Sequence, residues 1–383
     1  MALYLTIKEI WRNRNRYLTF SLVIALITVL VLFIAGLGEG LATANKEFIE
    51  KIDGELLLFQ ENTELSTTAS RIAWSKLNDI QRVPGVAEVG PIGLATATIV
   101  YPELENPLDV SLIGVEPGKP GQAPAYLGRD LLTERGLETV IDEDIAAEMS
   151  LELGDTIIIK TIQGTEDEFF ELTIVGIATG QQYFFLPSIF VPYQTWDRIR
   201  PQANPGVESE LTANIIAIKL QNPEAWEEMI PVLQTQVDGI EAVDKVTAYE
   251  AGPGYAAQQS TLNTQKGFTL LISVLVIGGF FQIQTLQKVP QIGMLKAIGA
   301  SNTIVATAAL LQIVIVTAIG ILLGSSITLL LSLGFPANIP IIFTGNAILT
   351  AIISLFLIGP IGGMVAIRLA LRVEPLTALG LNS

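Results

Sequence analysis

The chain has 383 residues, half of them hydrophobic, with 22 Lys and Arg against 38 Asp and Glu and neither Cys nor His. The missing Cys and His exclude disulfides, a thiolate nucleophile, a Ser-His-Asp triad and any zinc or haem site built on His or Cys. A mean hydropathy of +0.51 argues against a purely soluble protein.

In chain order, residues 1–16 place Leu3, Ile7, Ile10 and Trp11 at helical spacing opposite the charges. This predicts a cytoplasmic amphipathic helix lying on the membrane, with Lys8, Trp11, Arg12, Arg14 and Arg16 as surface anchors; a disordered basic flank is the alternative. From Tyr17 to Gly38 runs an uncharged stretch of 22 residues, roughly 33 Å as a helix, against a hydrocarbon core of about 30 Å. It is transmembrane helix one. A signal-peptide core is shorter, about 7–15 residues, although Ala42-Thr43-Ala44 resembles a cleavage site.

Residues 39–266 form the long insertion, and 267–287, bounded by Lys266 and Lys288, are transmembrane helix two. Between Lys296 and Arg368 no Asp, Glu, Lys or Arg occurs, a run too long for one crossing and right for two. Gly334, Pro336 and Pro340 break it, so helix three spans 303–332 and helix four 343–367, leaving a 288–302 loop and a 368–383 tail.

Basic residues near membrane ends stay in the cytoplasm. Lys8, Arg12, Arg14 and Arg16, then Lys288 and Lys296, then Arg368 and Arg372 all fall on one side. Both termini are therefore expected inside and residues 39–266 outside, in a multi-pass protein of the inner (cytoplasmic) membrane. Only 8 of the basic and 2 of the acidic residues lie outside 39–266, which leaves the insertion at −22 and the remainder at +6. The basic face suits anionic lipid and an acidic partner, and the acidic insertion argues against nucleic acid.

Pro-free stretches at 39–52 and 255–266 are expected to extend helices one and two outward as stalks. Within the insertion, Trp74 to Arg82 and Trp226 to Gln236 are predicted helices, each followed by a Gly-containing turn and a short apolar strand. Residues 141–196 are mostly strand-like. The fold class is thus a membrane protein with four transmembrane α-helices, one plus three. A large extracytoplasmic α/β domain, containing a β-rich subdomain, sits between helices one and two. Asp142, Glu143, Asp144 and Glu148 read as a solvated helix start rather than a Ca²⁺ site, and Tyr183-Phe184-Phe185-Leu186 as core packing rather than a contact surface.

No Walker A motif is present. Gly114 to Pro120 has the wrong spacing and no hydroxyl residue after Lys119, so any ATPase is a separate chain. The 288–302 loop is unusual for a cytoplasmic connector because it is apolar: Ile292, Met294, Leu295 and Ile298 give it a face suited to the membrane surface or to a partner's groove.

Gln291-Ile292-Gly293-Met294-Leu295-Lys296-Ala297-Ile298-Gly299-Ala300 resembles the Glu-Ile-Gly-φ-x-Lys/Arg-Ala-φ-Gly-Ala signature of MacB/FtsX-like ABC transporter permeases, which include lipoprotein-release and DevC-type exporters. Leu153-Gly154-Asp155 before a strand and Arg372-Val373-Glu374-Pro375-Leu376-Thr377-Ala378-Leu379 are similar to other segments of that family. The resemblance implies a non-catalytic, homodimeric permease that binds two ATPase subunits through Gln291 to Ala300. ATP and Mg²⁺ belong to those partners, no cofactor to this chain, and membrane lipid and a periplasmic adaptor are further partners it admits. ATP-driven motion would be relayed to the outer domain, a mechanotransmission export. Gln291, where the family usually has Glu, and the preceding Pro290 depart from the pattern. The alternative function is an FtsX-like regulator that activates an extracytoplasmic cell-wall hydrolase, against which the 228 residues of 39–266 count as large. A membrane enzyme lacks a nucleophile–base set.

Overall fold

The computed structural model describes residues 2–100, 107–205, 210–252, 254–334 and 341–371. The expected break at 334–340 and the Arg372 to Leu379 motif lie almost wholly outside them. In chain order, α1 (Ala2–Arg12) leads into α2 (Arg14–Lys51). There follow β1 (Leu56–Gln60), β2 (Ile72–Ala73), α3 (Lys76–Gln81), β3 (Val86–Val100), β4 (Leu108–Val115) and β5 (Ala125–Gly128). Next come β6 (Glu138–Asp142), α4 (Glu143–Met149), β7 (Thr156–Gln163), β8 (Glu166–Ala178), β9 (Ser188–Pro192) and α5 (Tyr193–Ile199). Then come β10 (Thr212–Ala213), β11 (Ile215–Leu220), α6 (Trp226–Gln236), β12 (Ile240–Asp244) and α7 (Lys245–Glu250). The chain closes with α8 (Tyr255–Gln287), α9 (Val289–Ala297), α10 (Asn302–Ser332) and α11 (Gly345–Leu371).

Two compact units result: Met1–Leu41 with Gln259–Ser383, and Ala42–Gln258. The inserted unit is built on one sheet. Strands β12, β1, β11 and β3 pair antiparallel in that order, and their side chains alternate between two cores. Leu56, Leu58, Ile216 and Ile218 enter one; Leu57, Phe59, Ile215 and Ala217 enter the other. A strand buried on both faces needs no polar alternation, which is why β1 reads Leu-Leu-Leu-Phe.

The strand-rich segment is not a separate sheet. The 15-residue β3 pairs with β11 along its first half and with β4 and then β7 further on. The pairings β4–β9, β9–β6, β6–β8 and β8–β7 close a six-strand circuit back onto β3. At its wall the cross-strand pair Gly93 and Gly114 lies under the Trp196 ring, where a Cβ on either glycine would sit within 2.6 Å of indole carbons. The Trp196 Nε1 donates to Leu112 O at 3.2 Å.

Asp142 is fully buried, contrary to a solvated helix start. It caps α4 by accepting from the Asp144 amide at 3.0 Å, and it also accepts from the Gln181 amide at 2.5 Å. Burial, opposed by those two donors and reinforced by Asp144 and Glu47, pushes its carboxyl up to about 7. The 183–186 segment divides. Tyr183 is core, its ring 5.9 Å from that of Phe48 and its hydroxyl 2.6 Å from Thr67 Oγ1, and burial raises its phenol to about 12. Phe184 and Phe185 are instead 45% and 43% exposed.

In the helical unit, α2, α8, α10 and α11 are each long and apolar enough to cross a membrane. Leu18, Leu22, Leu26 and Leu30 form an exposed stripe along α2, as a lipid-facing surface requires. The opposite face packs closely through small residues. A Cβ on Gly320 would lie 2.5 Å from Ile24 Cγ2, and one on Gly324 would lie 2.6 Å from Ala25 O. The backbones of α8 and α11 likewise touch at Gly278 and Gly362.

Candidate functional site

The apolar loop is a real helix with two engineered-looking ends, each explicable from sequence. Pro290 stands in the first turn of α9, where its missing N–H costs no helical bond. At the other end Gly299 takes φ +101°. Its amide donates to Lys296 O at 3.0 Å, and the Ala300 amide donates to Leu295 O at 3.0 Å, the paired bonds of a Schellman stop. Ser301 then caps α10, its Oγ accepting from the Ile304 amide at 3.4 Å. The signature's Gly-Ala and the following Ser thus set a sharp corner between two helices.

The residues of the signature do not share one face. Met294, Leu295 and Ile298 are 55%, 42% and 80% exposed, and Gln291, Ala297 and Gly299 are exposed too. Ile292 and Gly293 are buried, Ile292 against Val305 of α10, so Ile292 does not belong to the apolar surface expected of it. Ala300 is half-buried. Lys296 donates from Nζ to Leu371 O at 2.7 Å, placing a cation on a last-turn carbonyl of α11, where the helix dipole favours it.

The anchors also divide. Lys8, Trp11, Arg12 and Arg14 are exposed on or just after α1, but Arg16 is half-buried and donates from Nη2 to Gln284 O at 3.4 Å. Sequence reading missed the polar cluster beside it. Lys288 is buried, ion-paired with Glu9, and donates to Tyr17 Oη at 2.7 Å and Gln312 Oε1 at 2.9 Å. Gln312 Nε2 in turn donates to Glu9 Oε2 at 2.6 Å. Four elements are pinned together where α9 begins, because a buried ammonium needs both a counter-ion and its donors satisfied. The one available signal was Gln312, a polar residue inside an otherwise apolar span.

A cavity of about 510 Å³ lies between α2, α8 and α11, and among its lining residues Glu39 and Lys266 carry charge. The site therefore consists of a presented apolar helix and the polar cluster that seats its first turn.

Four helices fit to cross a membrane, a large domain inserted after the first and a short presented helix after the second are the architecture of a transporter permease. Residues 18–236 match the profile of the MacB-like periplasmic core domain and residues 267–375 that of the FtsX-like permease C-terminal. The chain belongs to the MacB/FtsX-like family of ABC transporter permeases, membrane proteins with an extracellular domain. Over 377 residues it is 27% identical to the "Putative hemin transport system permease protein HrtB" of Staphylococcus haemolyticus, spanning 97% of this chain and 98% of that one. A protein of the same name from Staphylococcus epidermidis is 24% identical over 375 residues, with 97% and 98% spanned. Among solved structures, the extracellular domain of the noncanonic ABC-type transporter YknZ from Gram-positive bacteria is 14% identical at a TM-score of 0.35, covering 49% of this chain and 99% of that one. The periplasmic region of MacB from Actinobacillus actinomycetemcomitans is 16% identical at 0.36, covering 52% and 92%.

Proposed function

We propose that the chain works as one half of a homodimeric permease, taking ATP-driven motion from two separate ATPase subunits through α9 and relaying it to residues 42–258. The observation that carries this is the display of Met294, Leu295 and Ile298 on a short helix whose ends are fixed by a Schellman stop and by the Lys288 cluster. An apolar surface held on a rigid mount transmits force; a surface on a slack loop would absorb it. Helices α2 and α8 each carry residues of both units within one continuous helix, which supports a relay. The termini and α9 are assigned to the cytoplasm on the strength of their Lys and Arg.

Export is favoured over hydrolase regulation because the relatives matched over 97% of the chain are named as transport permeases. Their names make hemin the first cargo to test. With neither His nor Cys in the chain, an iron ligand here would be Met, Tyr or a carboxylate, and Lys266 offers a cation to a carboxylate-bearing amphiphile. The coupling reading is tested by Met294→Asp with Leu295→Asp: the double variant should insert and fold but lose co-purification of the ATPase and ATP-dependent export. Undiminished association and export would sink it. Export is tested separately by hemin tolerance of cells carrying or lacking the chain.

A further inference from the structure

Helices α2 and α8 run without a break from one compact unit into the other, the division falling after Leu41 on α2 and before Gln259 on α8. Each is held firmly on both sides of that division. Within the spans, α2 packs against Gly320 and Gly324 of α10, and α8 against Gly362 of α11. Beyond the division, the Ala44 carbonyl and the Phe48 amide are bonded to the 182–185 loop. There Asn45 Nδ2 also donates to Gln258 Oε1 at 2.9 Å, tying the two helices together.

The stretch between those restraints is rich in glycine: Gly36, Gly38 and Gly40 stand at alternate positions of α2, and Gly267 lies on α8. A glycine inside a helix weakens it about two- to fivefold relative to alanine, so each calls for a reason. Gly36 has one, since a Cβ there would lie 2.7 Å from the Phe343 ring. Gly38 and Gly267 have none in packing. A Cβ on Gly38 would meet Lys266 Nζ at 3.6 Å and Leu262 Cδ1 at 3.7 Å, ordinary contact distances, and nothing lies within 4 Å of one on Gly267. Neither glycine has a positive φ. The contacts of Gly38 with Leu262 and Lys266 put the two glycines within about two helical turns of one level. A second feature loosens α2 at the same place. The Gly36 carbonyl, which in a regular α-helix serves the Gly40 amide, takes the amide of Ile342 at 3.0 Å.

Two helices restrained at either end and soft at one level between make a hinge. We propose that α2 and α8 bend together at Gly38 and Gly267, so that residues 42–258 swing as one body on the membrane helices. A bent helix keeps its length on either side of the bend, so motion entering through the spans leaves as a change of angle and is not absorbed. The motion that the hinge serves rests on the relay proposed above; the softness belongs to this chain alone.

The test uses the full chain in lipid nanodiscs without an ATPase and compares wild type, the double variant Gly38→Ala with Gly267→Ala, and Gly279→Ala. Gly279 is the control: nothing lies within 4 Å of its Cβ position either, but it stands inside the α8 span, next to the contact of Gly278 with Gly362. The double variant should slow hydrogen exchange of amides 38–42 and 267–271 about fivefold, with a thermal midpoint equal to or above that of wild type. Because the chain has no cysteine, spin labels at Leu22→Cys and Glu168→Cys report the swing directly, with labelled chain diluted into unlabelled. The distance distribution should be at least twofold narrower in the double variant and unchanged in Gly279→Ala. Unchanged exchange or an unchanged width in the double variant overturns the proposal. An equal effect of Gly279→Ala also overturns it, by making general helix stiffness the cause, and a lowered midpoint in the double variant does so by showing that packing requires the glycines. Since both readings are taken without an ATPase, a failed hinge leaves the coupling role of α9 standing, and a failed coupling test leaves these readings unaffected.

Discussion

The backbone amide of Phe48 donates to the carbonyl of Gln182 at 3.1 Å, out of the body of α2. One turn earlier the Ala44 carbonyl accepts from the amide of Phe185, also at 3.1 Å. In a regular α-helix those two α2 groups face each other, so the 182–185 loop engages the helix ladder itself. Lys51 adds to the strap, donating to Thr179 O and Gly180 O at 2.8 Å each. Lys51→Met should loosen the strap by ~1 kcal/mol. Hydrogen exchange at the Phe48 amide should accelerate roughly fivefold, while exchange in β1 should not change.

Phe184 and Phe185 hold φ of 53° and 65°, a left-handed conformation that costs a non-glycine residue about 1–3 kcal/mol. Half-exposed aromatics in that conformation are poor choices for stability. Phe184→Asn, which suits the backbone, should leave the melting temperature of the 42–258 unit equal or higher and reduce export. A lower melting temperature with full export would show the ring to be structural.

Asp142 gives a pH signature. Its carboxyl titrates near pH 7 in the folded chain and near 4 when unfolded. Between those values the folded state holds the extra proton, so this group makes stability fall as pH rises from about 4 to 7 and flat beyond. Denaturant unfolding at pH 5 and 7 should show that slope, of order 1–3 kcal/mol. Asp142→Asn should flatten it while losing about 1 kcal/mol at pH 5, since one of the two backbone donors then meets an NH₂ group.

Gly324 tests the helix packing. A leucine there must displace Thr28 or the Ala25 carbonyl, an overpacking worth ~1–3 kcal/mol. Gly324→Leu should lower the thermal unfolding midpoint of the chain in detergent, whereas Leu322→Ala, at a residue 70% exposed, should barely move it.

Gly299 tests the corner after α9. No atom lies within 4 Å of where its Cβ would be, so any effect of Gly299→Ala comes from the positive φ alone, about 1 kcal/mol. ATPase affinity should drop severalfold, and Gly299→Asn, which tolerates the left-handed region, should recover most of it.

Four spans and one large insertion were legible because each is a matter of local composition: uncharged length, and the clustering of acid in one segment. The corner at Gly299 is encoded just as locally, a helix stop being set by a few adjacent residues. The division of Ile292 from Met294 and Leu295 was not, since all are apolar and only the seat against Val305 decides which turns inward. Nor was Lys296 legible as the cap of α11, a contact between positions 75 residues apart.

By itself, then, the sequence determined which segments are long and apolar enough to enter a membrane and where charge accumulates. Those follow from side-chain transfer free energies, which are properties of single residues and short windows. The tertiary structure alone decided that β3 serves two sheet regions, that Phe48 and Gln182 meet, and that Glu9, Tyr17, Lys288 and Gln312 share one buried cluster. Such pairings depend on which distant groups must satisfy one another once water is excluded, and no local window contains both partners.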